Sequence, residues 1–145
     1  MTDTTTTKVP TWFWVVSGIA LVWNSFGALA YLGQVNATPE TLASLPEAER
    51  LLLENRPTWV TAAFAIAVWT GVLGSLFLLV KKAWATPIFM VSLGAALIQT
   101  FYNFFLTNAL EATGAGGVAF ALTIILIGFG LVWFSRKSQA EGWIS

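Results

Sequence analysis

Four long segments of the chain contain only uncharged, mostly apolar residues, and the charged residues fall between them. The segments cover residues 11–32, 59–80, 84–106 and 117–134, so they are 22, 22, 23 and 18 residues long. An α-helix needs about 20 apolar residues to cross the hydrocarbon core of a bilayer. The pattern therefore predicts an all-α membrane protein, a bundle of four transmembrane helices that forms a single domain over residues 1–145.

The first segment has an alternative interpretation as a secretory signal peptide. Lys8 precedes the apolar run, and Ala28-Leu29-Ala30 is similar to a cleavage site for signal peptidase. Against this, the run is longer than the apolar core of a usual signal, and Asn24 interrupts it. These two features favour an uncleaved first membrane span.

The long loop between the first two spans carries signals for a short helix. Ser44 and Glu47 are three residues apart, as in a capping box, and Pro57 lies where a helix over residues 46–55 would have to end. Leucines fall on one side of this helix and acidic residues on the other. We expect an amphipathic helix that rests on the outer mouth of the bundle. A plain surface loop is the alternative.

Composition excludes several kinds of chemistry. The chain is 57% hydrophobic and 10% charged, has zero formal net charge, and contains neither Cys nor His. Net neutrality without a basic face argues against nucleic-acid binding. Without thiols, imidazoles or an ionisable group inside a span, nothing suggests a metal site, a proton relay or a nucleophile beside a base. We expect no cofactor, no metal and no catalytic residue, so the chain is predicted not to be an enzyme.

The positive charges predict how the chain is oriented. Five of the seven Lys and Arg residues fall on the face that also holds both termini, and cytoplasmic loops are enriched in these residues. The first face carries Lys8, Lys81, Lys82, Arg136 and Lys137, and the other carries Arg50 and Arg56. Both termini are therefore predicted to lie in the cytoplasm. We expect Trp143, after the last span, to rest on the membrane surface.

Polar and amphipathic side chains lie within the spans, where hydrocarbon offers no hydrogen-bonding partner. The candidate cluster consists of Asn24, Gln99, Asn103, Trp23, Trp69, Tyr31 and Tyr102. Asn24 and Gln99 fall at comparable depth, and Asn103 follows Gln99 by one helical turn. We expect the first and third spans to face each other through these amides. The indole N–H groups of Trp23 and Trp69 would then take the amide carbonyls as acceptors.

Two interpretations of this polar cluster remain open. In the first, the amides and indole faces line a small outward-facing pocket, because amides match hydroxyl groups and aromatic faces cover the C–H side of a solute. In the second, the same groups hold helices together, each contact contributing about 1 kcal/mol or less. A cavity that reaches both Asn24 and Gln99 would favour the pocket. Direct pairing of the two amides would favour the second interpretation.

The second span carries small residues at four-residue spacing, which allow another helix to approach its backbone closely. This helix-packing seam consists of Ala63, Ala67, Gly71, Gly74 and Ser75. The sequence does not say whether the partner helix belongs to the same chain. Self-association as a homo-oligomer, or docking in a larger membrane complex, is one prediction from this seam.

Four sequence motifs carry a resemblance to a known family. They are Trp12-Phe13-Trp14, Leu21-Val22-Trp23-Asn24, Leu45-Pro46-Glu47-Ala48-Glu49-Arg50 and Arg56-Pro57-Thr58-Trp59-Val60-Thr61. The chain resembles a family of small four-span bacterial inner-membrane proteins, some of which carry the automatic label "sugar transporter". The resemblance covers nearly the whole chain. It implies a bacterial inner membrane and a four-helix fold, and it transfers no activity or catalytic residue.

The leading functional prediction is a non-enzymatic membrane subunit or accessory protein, with membrane lipid and other protein subunits as its partners. The alternative is a small transporter or binder of a neutral polar solute such as a sugar, with the amide and indole cluster as its site. An enzyme that acts on lipid is the third possibility, and the missing charged centre makes it the weakest.

Overall fold

The computed structural model of the protein describes residues 8–107 and 109–145, and the described part is built of helices with no strand. The helices are α1 (Thr11–Val35), α2 (Pro39–Ala43), α3 (Glu47–Glu54), α4 (Thr58–Leu79), α5 (Ala85–Phe105) and α6 (Ala109–Ala140). Four of them are long and apolar enough to cross a membrane, namely α1, α4, α5 and the part of α6 from Gly114 to Ala140. The predicted all-α four-span bundle is confirmed.

The last helix differs most from its predicted bounds. It continues beyond residue 134 to Ala140, because the charges of Arg136 and Lys137 end the uncharged run but leave the backbone hydrogen bonds of the helix intact. Near its other end, Gly114 adopts φ 67° and ψ −161°, a conformation that favours glycine because it has no Cβ. The chain turns there, and the spanning part of α6 begins.

The loop between α1 and α4 folds into two short helices. The predicted amphipathic helix is confirmed as α3, which packs against α6. The predicted capping box is wrong, because the Ser44 hydroxyl donates to the carbonyl of Thr41 at 2.6 Å and so ends α2 instead of capping α3. Thr38 caps α2, its hydroxyl oxygen accepting from the Thr41 backbone N–H at 3.1 Å.

Helix α4 is the centre of the bundle, because α1 packs on one side of it and α5 on the other, and α6 then packs on α5. The expectation that α1 faces α5 directly is wrong, since α1 takes α4 as its packing partner. The small residues of α4 explain this arrangement, because they let the backbone of α1 approach.

All five residues of the helix-packing seam on α4 are buried inside this chain. A methyl group added at Gly71 would lie 2.1 Å from Oδ1 of Asn24 on α1, and one at Gly74 would lie 2.9 Å from the ring of Phe89 on α5. The seam is thus filled by two helices of the same chain. It offers no free face to a second copy, and self-association stays a prediction without this support.

The end of the bundle at which α1 begins and α6 ends, which we call the termini end, is sealed by a hydrophobic core. Phe13, Leu78, Phe134 and Ile144 are almost fully buried there, and the ring of Trp143 lies 5.1 Å from that of Trp12. The expected place of Trp143 on the membrane surface is wrong. The tail after α6, residues 141–145, folds back instead, because the backbone N–H of Trp143 donates to the Ser138 carbonyl at 2.8 Å.

Candidate functional site

The four long helices enclose a cavity of ≈ 500 Å³ that runs from the level of Phe89 and Leu131 to the end of the bundle that carries α2 and α3, which we call the loop end. Trp23 and Asn24 line it from α1, Phe64 and Val68 from α4, Gln99 and Asn103 from α5, and Phe120 and Ile124 from α6. None of the described residues that line the cavity is charged. It therefore joins a mostly apolar wall to a few neutral polar groups.

Two amides on α5 are the open polar groups of the cavity. Gln99 and Asn103 are one helical turn apart and both line it. Neither side chain has a hydrogen-bonding partner within the described residues, in contrast to Ser92, whose hydroxyl donates to the Ala67 carbonyl on α4 at 2.6 Å. Each amide supplies two N–H donors and one carbonyl acceptor. Gln99 and Asn103 therefore remain available to a bound molecule.

Asn24 has a different role from the one expected, because it holds α1 to α4. Its Nδ2 donates to the Ala20 carbonyl at 2.9 Å and to the Ser75 hydroxyl at 3.2 Å. Ser75 in turn donates to the carbonyl of Gly71 at 2.8 Å. The side chain of Asn24 faces the cavity but its donors are occupied. The expected pairing of Asn24 with α5 is therefore replaced by a contact with the seam of α4.

The aromatic members of the predicted cluster separate into two groups. Trp23 lines the cavity, where its ring lies 6.4 Å from that of Phe120 on α6. Its indole N–H has no acceptor among the described residues, so the predicted bond to an amide does not form. Trp69 is 44% exposed and sits outside the cavity, with its ring 6.4 Å from Tyr31.

Both tyrosines of the predicted cluster join neighbouring helices and do not line the cavity. The ring of Tyr31 lies 5.4 Å from that of Phe64, which joins α1 to α4. The ring of Tyr102 lies 5.4 Å from that of Trp59, which joins α5 to α4. Both pairs meet edge to face, a geometry that aromatic rings prefer. The structure therefore brings together Trp23, Asn24, Gln99 and Asn103 and leaves Trp69, Tyr31 and Tyr102 outside.

The sequence missed two polar residues at the mouth of the cavity. Gln34 lies beyond the predicted first span, but α1 continues to Val35 and turns Gln34 onto the cavity. Nη2 of Arg56 donates to Oε1 of Gln34 at 2.8 Å, and the guanidinium carbon lies 5.7 Å from the centre of the Phe64 ring. Had the first helix been predicted to continue to residue 35, Gln34 would have been placed on it. No local signal identifies the partner of Arg56.

Arg56 lies outside the spans and forms no ion pair with any described acidic residue. Burial lowers the pKa of Arg56 from its ordinary value, and electrostatic interaction with Tyr102 opposes that shift. The guanidinium remains charged at neutral pH because its ordinary pKa is so high. The Nε atom is buried and has no partner among the described residues. Arg56 therefore places a half-buried positive charge just behind Gln34.

The chemistry available at the site is hydrogen bonding and aromatic contact. The described side chains include no group of three or more Asp and Glu residues that would hold a metal ion. Comparisons with protein-family models, with curated proteins and with solved structures found no match for this chain. Function is therefore inferred from the cavity itself.

Proposed function

We propose that this integral membrane protein is a non-enzymatic binder of a small neutral polar solute, such as a sugar, in the cavity between its four long helices. The amides of Gln99 and Asn103, which have no partner among the described residues and face a cavity of ≈ 500 Å³, carry this proposal. Cavities of about 300–1,000 Å³ with a mostly apolar lining and a few converging polar groups are typical of small-molecule sites.

The lining suits a molecule that carries hydroxyl groups. A primary amide donates and accepts at once, which matches the two roles of a hydroxyl group. The indole of Trp23 supplies a flat apolar surface for C–H groups on the other side of the solute. A neutral solute fits because no charged side chain lines the described cavity and an unpaired charge in such a place is costly.

The proposal takes the bilayer to be a bacterial inner membrane, as the family resemblance implies. It takes both termini to be cytoplasmic, as the distribution of Lys and Arg implies. The cavity then opens outward and is closed toward the cytoplasm. Transport would require the core at the termini end to open, whereas binding alone does not.

An accessory or self-associating subunit remains the second proposal. It has lost its main support, because the small residues of α4 that suggested a partner are filled by α1 and α5 of the same chain. Solute binding therefore accounts for the open amides, and the subunit proposal does not.

Binding of radiolabelled sugars to the purified protein in lipid nanodiscs tests the proposal. The variant with both Gln99→Leu and Asn103→Leu should bind at least about tenfold more weakly, because two hydrogen bonds contribute about 1 kcal/mol each. Thr123→Val is the matched control, since Thr123 is exposed on α6 and bonds only to the Ala119 carbonyl at 2.8 Å. Absence of binding to wild-type protein, or equal binding by the double variant, would contradict the proposal. Uptake by proteoliposomes then separates transport from binding.

A further inference from the structure

The cavity changes its polarity along the membrane normal. At the loop end it is lined by the amides of Gln99 and Asn103, whereas toward the termini end it is lined by Phe89, Ile127 and Leu131. Between these levels Asn24 and Ser92 bond to α4, and the indole N–H of Trp23 has no acceptor among the described residues. A ligand that fills the cavity therefore meets open polar groups at one end and hydrocarbon at the other.

The cavity is long. On α5 its lining extends from Phe89 to Phe104, a rise of about 22 Å along the helix. The part between Phe89 and the level of Gln99 is about 15 Å long. A hydrocarbon chain that starts at the amides can therefore extend over that distance before it meets the closed end, and the cavity is long enough to hold it.

One wall of the cavity is weak enough to admit such a molecule from the side. Along the described residues α1 packs on α4, and α6 packs on α5, whereas α1 and α6 meet at the termini end and separate toward the loop end. Rings cover the gap between them, with Trp23 and Phe120 at 6.4 Å. Phe26 and Phe120 line the cavity and are also 65% and 60% exposed. Side chains alone therefore separate the cavity from the surrounding lipid.

We propose that the ligand is an amphiphile with a hydrocarbon chain and a neutral, hydroxyl-bearing head group, which enters from the bilayer between α1 and α6. The head group bonds to Gln99 and Asn103, and the hydrocarbon chain extends toward Leu131. A lipid of the leaflet at the loop end already points its chain toward the membrane centre, so it enters without inverting. This inference rests on the proposed function and specifies its ligand.

Photo-crosslinking in nanodiscs tests this inference with octyl glucoside that carries a diazirine at the end of its chain. The expected crosslinks lie on the peptide that contains Ile127 and Leu131. Unlabelled octyl glucoside should compete at least tenfold better than free glucose. Ala121 lies on the cavity side of α6, and Ala121→Trp should reduce labelling at least tenfold. Leu122 is 55% exposed on the same helix, and Leu122→Trp should change labelling by less than twofold.

The possible failures can be told apart. If glucose competes as well as octyl glucoside, the hydrocarbon chain is not recognised, and this inference fails while the proposed function stands. If decane competes as well as octyl glucoside, the head group is not recognised, and both fail. Crosslinks spread over the exposed face that includes Leu122, without competition, would overturn the inference even if Ala121→Trp does not fold.

Discussion

The two ends of the bundle are built from the same four long helices but differ in how those helices meet. At the termini end, Phe13 and Phe134 join α1 to α6 with ring centres 5.6 Å apart, and the folded tail closes the remaining gap. At the loop end, the same two helices separate around the cavity. The same four helices therefore pack closely at the termini end and leave a cavity between them toward the loop end.

The tail after α6 contributes to this difference between the two ends. The Ala83 N–H donates to the Ser145 carbonyl at 3.1 Å, and the Ser145 N–H donates to the Lys81 carbonyl at 3.1 Å. These bonds bring Trp143 and Ile144 against the ends of α1 and α6. Among the described residues, no comparable segment lies between α1 and α6 at the loop end, where α3 packs against α6. The termini end is therefore closed by an additional buried segment together with the direct contact of Phe13 with Phe134.

Phe13→Ala should have the largest effect on this comparison, because it removes the fully buried ring at the centre of the closed end. We expect the free energy of unfolding to fall by about 3 kcal/mol, as for other buried Phe→Ala changes that leave a cavity. Unfolding by sodium dodecyl sulphate in mixed micelles, followed by circular dichroism, measures it. Phe105→Ala is the control, since Phe105 is 73% exposed on α5. Equal losses would mean that the closed end is no more tightly packed than the lipid-facing surface.

Gly71→Ala should have the next largest effect, because the added methyl group displaces the Asn24 side chain that joins α1 to α4. We expect a loss of about 2 kcal/mol, typical of overpacking a tight contact. Gly94→Ala on α5 meets no atom within 4 Å and should be neutral or slightly stabilising. The same unfolding measurement tests both variants. If Asn24→Ala fails to reduce the cost of Gly71→Ala, the two residues are not coupled.

Trp143→Ala should have the smallest effect on the free energy of unfolding. It should loosen the packing that closes the termini end. The chain has no native Cys, so a single cysteine at Ile127 reports access to the lower part of the cavity. We expect a water-soluble thiol reagent to label Ile127→Cys about fivefold faster when Trp143→Ala is added, because losing ~1 kcal/mol of tail packing increases the open population by that factor. Asn103→Cys, at the open end, should keep its rate. An unchanged rate at Ile127 would mean that the tail does not seal the bundle.

The sequence predicted which segments form helices better than it predicted where the helices end and which helices pack together. Uncharged runs of membrane-spanning length identified α1, α4, α5 and most of α6, because hydrocarbon tolerates charge so poorly that the pattern is unambiguous. The predicted helix ends were wrong where an uncharged run and a helix end at different residues. In α6 the uncharged run ends before Arg136, whereas the helix continues to Ala140. The amphipathic pattern located α3. The prediction that Ser44 caps α3 was wrong, because the Ser44 hydroxyl bonds to the Thr41 carbonyl at the end of α2.

The candidate site was predictable in composition and only partly in geometry. Gln99 and Asn103 were identified because polar groups inside a span are rare, and their four-residue spacing placed them on one face. The partner of Asn24 was not predictable, since Ser75 on α4 offers a hydroxyl at a suitable depth just as α5 offers an amide. Depth along a helix limits the choice of partner but does not identify the neighbouring helix.

Taken alone, the sequence determined the solvent around this protein, the number of its long helices and the neutral chemistry of their polar residues. These properties depend on the free energy of transferring each segment into hydrocarbon, which adds up along the chain. Only the tertiary structure decided that α1 packs on α4, that Trp143 closes one end, and that Gln99 and Asn103 line a cavity without a partner among the described residues. Those properties depend on the shapes of facing surfaces, and shape complementarity between helices is not encoded in any one helix.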